Sequence, residues 1–264
     1  ARRQVQTAEP PANTKRKDMY KKNSYTILEN RPLTPAVYRM VLAGDTQYVT
    51  APGQFVNIAL DGRYLRRPIS VCDWDEHTLT LIYKVVGDGT EQMARMAAGA
   101  RLDLLTGLGN GFTTEGAGDR RLLVGGGVGV PPLYGLARRL VAAGRRVTAV
   151  LGFNTADEVF YADEFRALGA EVFVATADGS AGTRGFVTTA IAEHGIACDF
   201  FHACGPLPML RALSEAVEAP GELSFEERMG CGFGGCMGCS CETKEGAKRI
   251  CKEGPVLKKE EVIW

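Results

Sequence analysis

Short runs of β-branched and aromatic residues, separated by turns, fill the chain from residue 24 to about residue 111. They cover residues 25–28, 37–42, 54–60, 79–85 and 101–105. This pattern predicts a small antiparallel β-barrel. One helix is expected to interrupt the barrel at 90–96, with Thr90 as its N-cap and Gly99 at its end. We assign the barrel domain to residues 24–118.

The pattern then changes to apolar strands that alternate with helices. Strands are predicted over residues 122–125, 146–151, 171–175 and 200–204, and helices over 131–143, 162–168, 186–193 and 206–217. Such alternation predicts a doubly wound parallel sheet. The second domain therefore covers residues 119–225, and the predicted fold class is multidomain, β plus α/β.

The last segment, residues 226–264, is rich in Gly and Cys and has few large apolar residues. About 39 residues of this composition cannot bury enough surface to fold alone. We therefore expect a metal centre to organise a third, small domain here.

Charge and composition argue against several classes of protein. Lys plus Arg and Asp plus Glu both number 31, which leaves no basic field to hold nucleic acid or an anionic membrane. No apolar run is long enough for a membrane helix, which needs about 18 residues. Residues 1–23 are basic and lack the apolar core of a secretory signal. We interpret them as a flexible arm and expect a cytoplasmic protein.

Five of the eight cysteines lie in the last 34 residues, a distribution more typical of metal binding than of disulfides. Cys231, Cys236, Cys239 and Cys251 are separated by gaps of four, two and eleven residues. The first two gaps match the plant-type [2Fe–2S] ferredoxins. The glycines that permit sharp turns around such a cluster are Gly232, Gly234, Gly235 and Gly238.

Two alternatives remain for this segment. Cys241 lies two residues after Cys239 and could replace Cys251 as the fourth ligand. We favour Cys251, because the second iron needs a ligand from a separate strand and no glycine-built turn carries Cys241 there. A zinc site with four cysteine ligands would also hold the segment together, although only Cys236 and Cys239 have the C-x2-C spacing of a zinc knuckle.

Glycine-rich turns mark a possible dinucleotide site in the α/β domain. The first predicted strand leads into a turn that contains Gly125, Gly126, Gly127 and Gly129, and a helix follows. Such a turn lets a pyrophosphate approach the backbone at a helix N-terminus, although the pattern is G-x-G-x-x-P and not the Rossmann G-x-G-x-x-G. Cys204 and Gly205 end another strand at the same predicted edge of the sheet.

Two motifs in the barrel region suit phosphate groups. Arg66 and Arg67 precede Ser70, and the three side chains together offer two guanidinium groups and a hydroxyl. Gly87 and Thr90 lie at the start of the predicted helix, a second place for a pyrophosphate. Each motif alone is also typical of a charged surface or a turn. Because both motifs lie in the same predicted barrel, we expect them to make two contacts with one dinucleotide.

Together these motifs resemble the ferredoxin–NADP reductase superfamily. The matching segments are Pro52-Gly-Gln-Phe-Val56, Arg67-Pro-Ile-Ser70, Gly87-x-Gly-Thr90, Gly127-x-Gly-x-x-Pro132 and Cys204-Gly-Pro. The C-terminal segments Glu226-Glu-Arg-Met-Gly-Cys-Gly-Phe-Gly-Gly-Cys and Arg249-Ile-Cys-Lys-Glu-Gly-Pro255 narrow the resemblance to the electron-transfer subunits of dihydroorotate dehydrogenase B. The resemblance covers about residues 24–264.

The resemblance implies three cofactors, FAD, NAD and a [2Fe–2S] cluster. The FAD contacts that it implies are Arg67, Pro68, Ile69, Ser70, Ile82, Tyr83, Lys84, Gly89 and Thr90. The implied NAD contacts are Gly125, Gly126, Gly127, Gly129, Cys204 and Gly205, and the implied cluster ligands are Cys231, Cys236, Cys239 and Cys251. Ile69 stands where superfamily relatives often place an aromatic residue on the flavin, which the narrower family tends to lack.

The resemblance also implies a reaction in pyrimidine biosynthesis. Electrons from dihydroorotate oxidation at FMN in a partner catalytic subunit would pass through the cluster and FAD to NAD+, in a heterotetramer. A nicotinamide exchanges electrons in pairs and the cluster carries one, so a flavin must lie between them. No catalytic residue is assigned to this chain, because dihydroorotate oxidation would take place in the partner. The acidic residues within 154–158 disfavour NADP.

Two other functions stay open from the sequence. A related reductase subunit could move electrons between NAD(P)H and ferredoxin or a sulfur substrate, and the copurifying subunit would distinguish it. A noncatalytic zinc-stabilised binding module would be colourless, whereas a protein with a flavin and a [2Fe–2S] cluster is brown.

Overall fold

The structure is a computed structural model that describes residues 20–116 and 118–264. Most of the predicted basic arm, up to residue 19, lies outside the described residues. The arm was expected to extend to residue 23, but β1 (Lys21–Pro32) begins inside that range. Its first residues are ordered by pairing with the last barrel strand, where Lys21 lies opposite Thr106.

Six antiparallel strands close into a barrel in the order β1-β2-β5-β4-β3-β6. After β1 they are β2 (Val37–Ala43), β3 (Phe55–Ala59), β4 (Arg67–Trp74), β5 (Thr78–Lys84) and β6 (Arg101–Leu108). The sequence pattern did not reveal β4, because the polar Arg67 and the proline after it interrupt the apolar alternation of that strand. Every second residue of the other strands points into a core that includes Val56, Ile58 and Leu81.

The helix that interrupts the barrel is α1 (Asp88–Ala94). It begins two residues earlier than predicted, so the assignment of Thr90 as its N-cap is wrong. Gly87 occupies the N-cap position, and Thr90 Oγ1 accepts a hydrogen bond from the Val86 N–H at 2.9 Å. Thr90 therefore closes the first turn of the helix from within.

The remaining strands are β7 (Arg120–Gly126), β8 (Arg146–Phe153), β9 (Glu171–Thr176), β10 (Thr183–Arg184), β11 (Phe200–Cys204), β12 (Gly221–Ser224), β13 (Ser240–Thr243), β14 (Gly246–Arg249) and β15 (Val256–Lys258). The helices are α2 (Pro131–Ala142), α3 (Ala162–Ala167), α4 (Val187–Glu193) and α5 (Leu207–Ala216). Short 3-10 turns cover Gly127–Gly129, Ala156–Glu158 and Lys259–Glu261. None of the helices in the described ranges is long and apolar enough to cross a bilayer.

Seven of these strands form one sheet in the order β10-β9-β8-β7-β11-β12-β15. All neighbours are parallel except β12 and β15, which are antiparallel. Helices cover both faces, as the sequence predicts, which confirms the fold class of a β-barrel followed by a doubly wound α/β domain. Strands β13 and β14 form a separate hairpin.

The C-terminal segment was expected to depend on a metal centre for its order. It is also held by the protein itself, because β15 extends the large sheet at β12. Cys239, Ile250 and Cys251 lie in the same buried cluster as Phe55 of the barrel and Leu223 of the sheet. The segment is thus continuous with both larger domains.

Helix α2 packs directly on β4, and this contact joins the α/β domain to the barrel. A Cβ at Gly135 would come within 2.8 Å of the Cys72 carbonyl oxygen, so the helix and strand backbones touch. One turn further along the helix, Arg138 Nη2 lies 2.7 Å from Asp73 Oδ1, and the Arg139 guanidinium lies 3.8 Å from the centre of the Trp74 ring.

Replacing Gly135 by alanine should therefore lower the free energy of unfolding by about 1–3 kcal/mol, the usual cost of an overpacked contact. Alanine normally stabilises a helix by about 1 kcal/mol relative to glycine, so the sign itself tests the contact. Chemical denaturation gives the measurement. The exposed Ala142→Gly variant, near the end of the same helix, reports helix propensity alone, and a more stable Gly135→Ala protein would contradict the proposed close approach.

Candidate functional site

The first part of the site is a gap between β4 and β5. The two strands pair from Val71, opposite Leu81, to Trp74, opposite Leu79. Residues 67–70 pair only with β3 and residues 82–84 only with β2. The facing edges of these two segments therefore keep free backbone donors and acceptors. Both segments are ones that the sequence assigned to FAD, and the fold brings them to opposite sides of one gap.

Arg67 and α1 close one end of this gap. The Arg67 side chain lies so close to Gly89 that a Cβ there would come within 2.2 Å of Arg67 Nε. Its hydrogen bond within the described chain is donated to the Leu65 carbonyl. No carboxylate within the described ranges forms an ion pair with Arg67, so its guanidinium can bind a phosphate. Gly89 and Thr90 are thus brought together with Arg67.

The other predicted flavin contacts differ in how much of their side chain is available. Pro68 is exposed, and Ile69 and Ser70 are half-buried. Tyr83 is turned into the barrel, where its hydroxyl donates to Asn30 Oδ1 at 2.9 Å and burial raises its pKa. Ile82 is likewise buried. Only the backbones of Ile82 and Tyr83 therefore remain for a ligand in the gap.

The second part of the site is a cavity of about 690 Å³ at the carboxyl ends of β7, β8 and β11. Gly126, Gly127, Gly129 and Gly205 line it, as predicted for a nucleotide site. Gly125 and Cys204 lie beneath its surface. A Cβ at Gly125 would meet the Val130 side chain at 2.8 Å, and burial raises the pKa of the Cys204 thiol to about 12.

The glycines of the turn have two distinct roles. A Cβ at Gly127 would meet no protein atom within 4 Å, so this residue faces the cavity and leaves the backbone open to a ligand. At Gly129 a Cβ would lie 2.1 Å from the Cys204 carbonyl oxygen. Gly129 therefore allows the turn to pack against the end of β11, a structural need that the motif does not reveal, while the residue still lines the cavity.

Several lining residues were not predicted from the sequence. Among them, the barrel contributes residues 34–37. Lys84, which the resemblance gives as a flavin contact, also reaches this cavity, where its Nζ lies 3.6 Å from Glu158 Oε1. Phe186, Met209 and Glu226 also line the cavity, and desolvation raises the pKa of the Glu226 carboxyl. Glu226 opens the cysteine motif, and Phe186 follows a glycine at a helix start. Neither of these sequence features identifies a cavity-lining residue unless the fold is known.

The third part of the site is the cysteine loop. The N–H groups of Gly235 and Cys236 point at Cys231 Sγ from 3.2 and 3.4 Å, and the Cys251 N–H points at Cys239 Sγ from 3.4 Å. Desolvation opposes ionisation of Cys231, but backbone donors outweigh it and lower its pKa to about 6. Such donors stabilise thiolates and cluster sulfurs alike.

The four predicted ligands form two pairs. Backbone hydrogen bonds to sulfur join Cys236 with Cys231 and Cys251 with Cys239. Across residues 20–116 and 118–264, no three Cys, His, Asp or Glu side chains converge on a position for a single ion. Two sulfur pairs fit a two-iron cluster, in which each iron takes two protein ligands. Cys241 lies on β13, whereas Cys251 follows β14, on the other side of the hairpin.

Known protein families match two of the three parts of this site, the cysteine loop and the nucleotide turn. The iron-sulfur cluster binding domain of dihydroorotate dehydrogenase B matches residues 226–263, and the oxidoreductase NAD-binding domain matches residues 123–215. The dihydroorotate dehydrogenase B (NAD(+)) electron transfer subunit of Geobacillus sp. (strain WCH70) is 44% identical over 257 residues, which is 93% of this chain and 100% of that protein. The subunit of Bacillus mycoides (strain KBAB4) is 44% identical over 259 residues, with the same coverage.

Solved structures of oxidoreductases have the same fold. An NADH-dependent reduced ferredoxin-NADP oxidoreductase, studied for flavin-based electron bifurcation, superposes with a TM-score of 0.83 and 31% identity over 91% of this chain and 90% of that chain. A cytochrome P450 reductase from Amycolatopsis gives a TM-score of 0.67 and 25% identity over 75% of this chain and 65% of that chain.

The fold and the site thus define an NAD-linked oxidoreductase of the ferredoxin reductase class, with an added iron–sulfur segment. The chain belongs to the family of dihydroorotate dehydrogenase B electron transfer subunits. The other reductase subunits and the zinc-stabilised module that the sequence left open are not favoured by these matches.

The Arg67 guanidinium, which forms no ion pair with a carboxylate in the described part of the chain, leads to a prediction about flavin affinity. Arg67→Ala should weaken FAD binding about tenfold to over a hundredfold, because a hydrogen bond to a charged group contributes about 1.5–3 kcal/mol. FAD retained after dilution and filtration gives the measurement. Arg95→Ala, which removes an exposed arginine paired with Glu91 on α1, is the control. Full FAD occupancy in the Arg67 variant would contradict the assignment.

The sulfur pairs predict which cysteine is the fourth ligand. Cys251→Ser should lose the cluster or hold it weakly, because a serine oxygen is a poorer ligand for iron than a thiolate. Cys241→Ser should keep its full iron content. Iron and acid-labile sulfide per FAD, with electron paramagnetic resonance after dithionite reduction, measure both variants. The reverse result, with the signal lost only in Cys241→Ser, would make Cys241 the ligand.

Proposed function

We propose that this chain carries electrons from an FMN-containing catalytic subunit, which oxidises dihydroorotate, through a [2Fe–2S] cluster and FAD to NAD+. The enzyme would be a cytoplasmic heterotetramer of pyrimidine biosynthesis. One observation carries the proposal: the three parts of the site lie on neighbouring elements. The cluster segment packs on the barrel beside β3, β4 next to it bears the flavin segment, and α2 behind the nucleotide turn packs on β4.

In this proposal each part of the site binds one cofactor. Arg67 and the backbone of Gly89 and Thr90 hold the pyrophosphate of FAD, while residues 68–70 and 82–84 border its ring system. The turn at Gly125–Gly129 and the Cys204–Gly205 segment hold NAD. Cys231, Cys236, Cys239 and Cys251 ligate the cluster. The borders between the three domains, near residues 118 and 225, are part of the same proposal.

When bound, the flavin supplies the exchange between electron pairs at the nicotinamide and single electrons at the cluster. The protein's own part is to position these groups and exclude water. Val37 and Phe160 form an apolar wall between the barrel and the cavity. Asp157 and Glu158 line the cavity and would repel a 2′-phosphate, which favours NAD over NADP.

The partner subunit is proposed to dock where the cluster loop reaches the surface. Cys236 is exposed, and the apolar side chains of Tyr20, Phe233 and Met237 around it are 37%, 40% and 56% exposed. The rings of Tyr20 and Phe233 stack at 5.5 Å. Aromatic residues and methionine are enriched at protein interfaces, so this patch suits a partner that must approach the cluster closely.

Electron input and output separate the roles of the two subunits and test the proposal. In the chain purified alone, NADH should reduce the bound FAD, whereas dihydroorotate should cause no change in the visible spectrum. Addition of the FMN subunit should allow dihydroorotate to reduce both the cluster and FAD. Stopped-flow absorption follows both reactions. Reduction by dihydroorotate without the partner, or absence of a flavin that NADH reduces, would overturn the proposal.

A further inference from the structure

Asn57 occupies an unusual position between the cluster loop and the flavin segment. Along β3, Val56 and Ile58 point into the barrel core, whereas Phe55 packs in the cluster that contains Cys239 and Cys251. Asn57 shares the outward face with Phe55, because alternate residues of a strand point to the same side. Its side chain is 1% exposed.

On one side Asn57 touches the cluster loop at a predicted ligand. Its Nδ2 donates to the Cys231 carbonyl oxygen at 3.3 Å. A Cβ at Gly232 would come within 2.3 Å of the same nitrogen, so the loop can only approach with glycine there. Because a carbonyl oxygen only accepts hydrogen bonds, the amide must present its N–H end to the loop.

On the other side Asn57 belongs to the flavin part of the site. It lies directly opposite Pro68 in the pairing of β3 with β4, and Arg67 and Ile69 flank that proline. Its carbonyl oxygen accepts a hydrogen bond from Arg66 at 3.1 Å, and Arg66 is held in turn by Asp103 at 2.7 Å. Asn57 thus connects a cluster ligand with the strand that borders the flavin.

The amide is costly to bury. Asn57 Oδ1 is buried and finds no hydrogen-bond partner in the described part of the chain, so a leucine of similar size would be easier to accommodate. A polar group kept under such conditions calls for a role beyond packing.

We propose that Asn57 is a positioning residue that fixes the Cys231 arm of the cluster loop against the flavin strand and raises the reduction potential of the cluster. The inference rests on the proposed function. Reduction adds one negative charge to the cluster, and the positive N–H end of the amide dipole faces its loop. Hydrogen bonds and dipoles around a cluster are known to set its potential.

The test is a redox titration of the complete enzyme, with the catalytic subunit bound, followed by electron paramagnetic resonance of the reduced cluster. In Asn57→Leu, the ratio of reduced to oxidised cluster at a given potential should fall about fivefold, the effect of one neutral hydrogen bond. This corresponds to about 40 mV at 59 mV per tenfold change. Asn57→Asp keeps the shape but replaces the donor by an acceptor, and its ratio should fall at least about tenfold.

Asn110 provides the matched control. It also ties the barrel to the C-terminal segment, through hydrogen bonds to the Glu253 and Val256 carbonyls at 3.1 and 2.7 Å, but it touches no cysteine of the loop. Asn110→Leu should leave the cluster potential unchanged. If Asn57→Leu does not retain its cluster, the Asp variant carries the measurement.

Two results would overturn the inference: an unchanged potential in both Asn57 variants, or an equal shift in Asn110→Leu. Either would leave the proposed function intact, provided that the unsubstituted enzyme contains FAD and iron. Absence of these cofactors from the unsubstituted enzyme would instead refute the proposed function itself.

Discussion

The contact between the backbones of α2 and β4 at Gly135 and Cys72 fixes the rest of the site. The glycine turn that we propose for NAD leads into the N-terminal end of α2, and residues 67–70, which we propose as the flavin segment, are the first residues of β4. Because no side-chain atom separates the helix from the strand, the two segments can take only one spacing. The pairs of Arg138 with Asp73 and Arg139 with Trp74 stop the helix from rotating about this point.

The sequence predicted the fold class and most of its elements, because barrel strands and βα units have different apolar periods. It missed strands whose stability comes from distant partners. In β12, Glu222 is buried, and its carboxylate accepts from the N–H of Thr113 at 2.9 Å, 109 residues earlier in the chain. No local pattern marks such a residue as part of a strand. In β4, Arg67 and Pro68 interrupt the apolar alternation of the first half of the strand, residues 67–70, which pairs with β3 alone.

In the site, too, local features could be predicted from the sequence and long-range contacts could not. Motifs of glycine and cysteine can be recognised in the sequence, because their spacing reflects the local path of the backbone. The orientation of a side chain is not, which is why Tyr83 proved to be a core residue and Gly129 a packing residue. Contacts between domains, such as Lys84 with Glu158, depend on how the barrel and sheet meet. They become visible only in three dimensions.

The pairing of β12 with β15 has a consequence for how the enzyme is assembled. These strands flank the cysteine loop in the chain and are hydrogen-bonded neighbours in the sheet, with Ser224 opposite Val256. The sheet therefore holds the two ends of the loop together independently of the cysteines, and the entropy of closing the loop belongs to the folding of the sheet. Cluster insertion then requires only local ordering of a tethered loop. We therefore expect the cluster to be inserted into a chain that is otherwise folded.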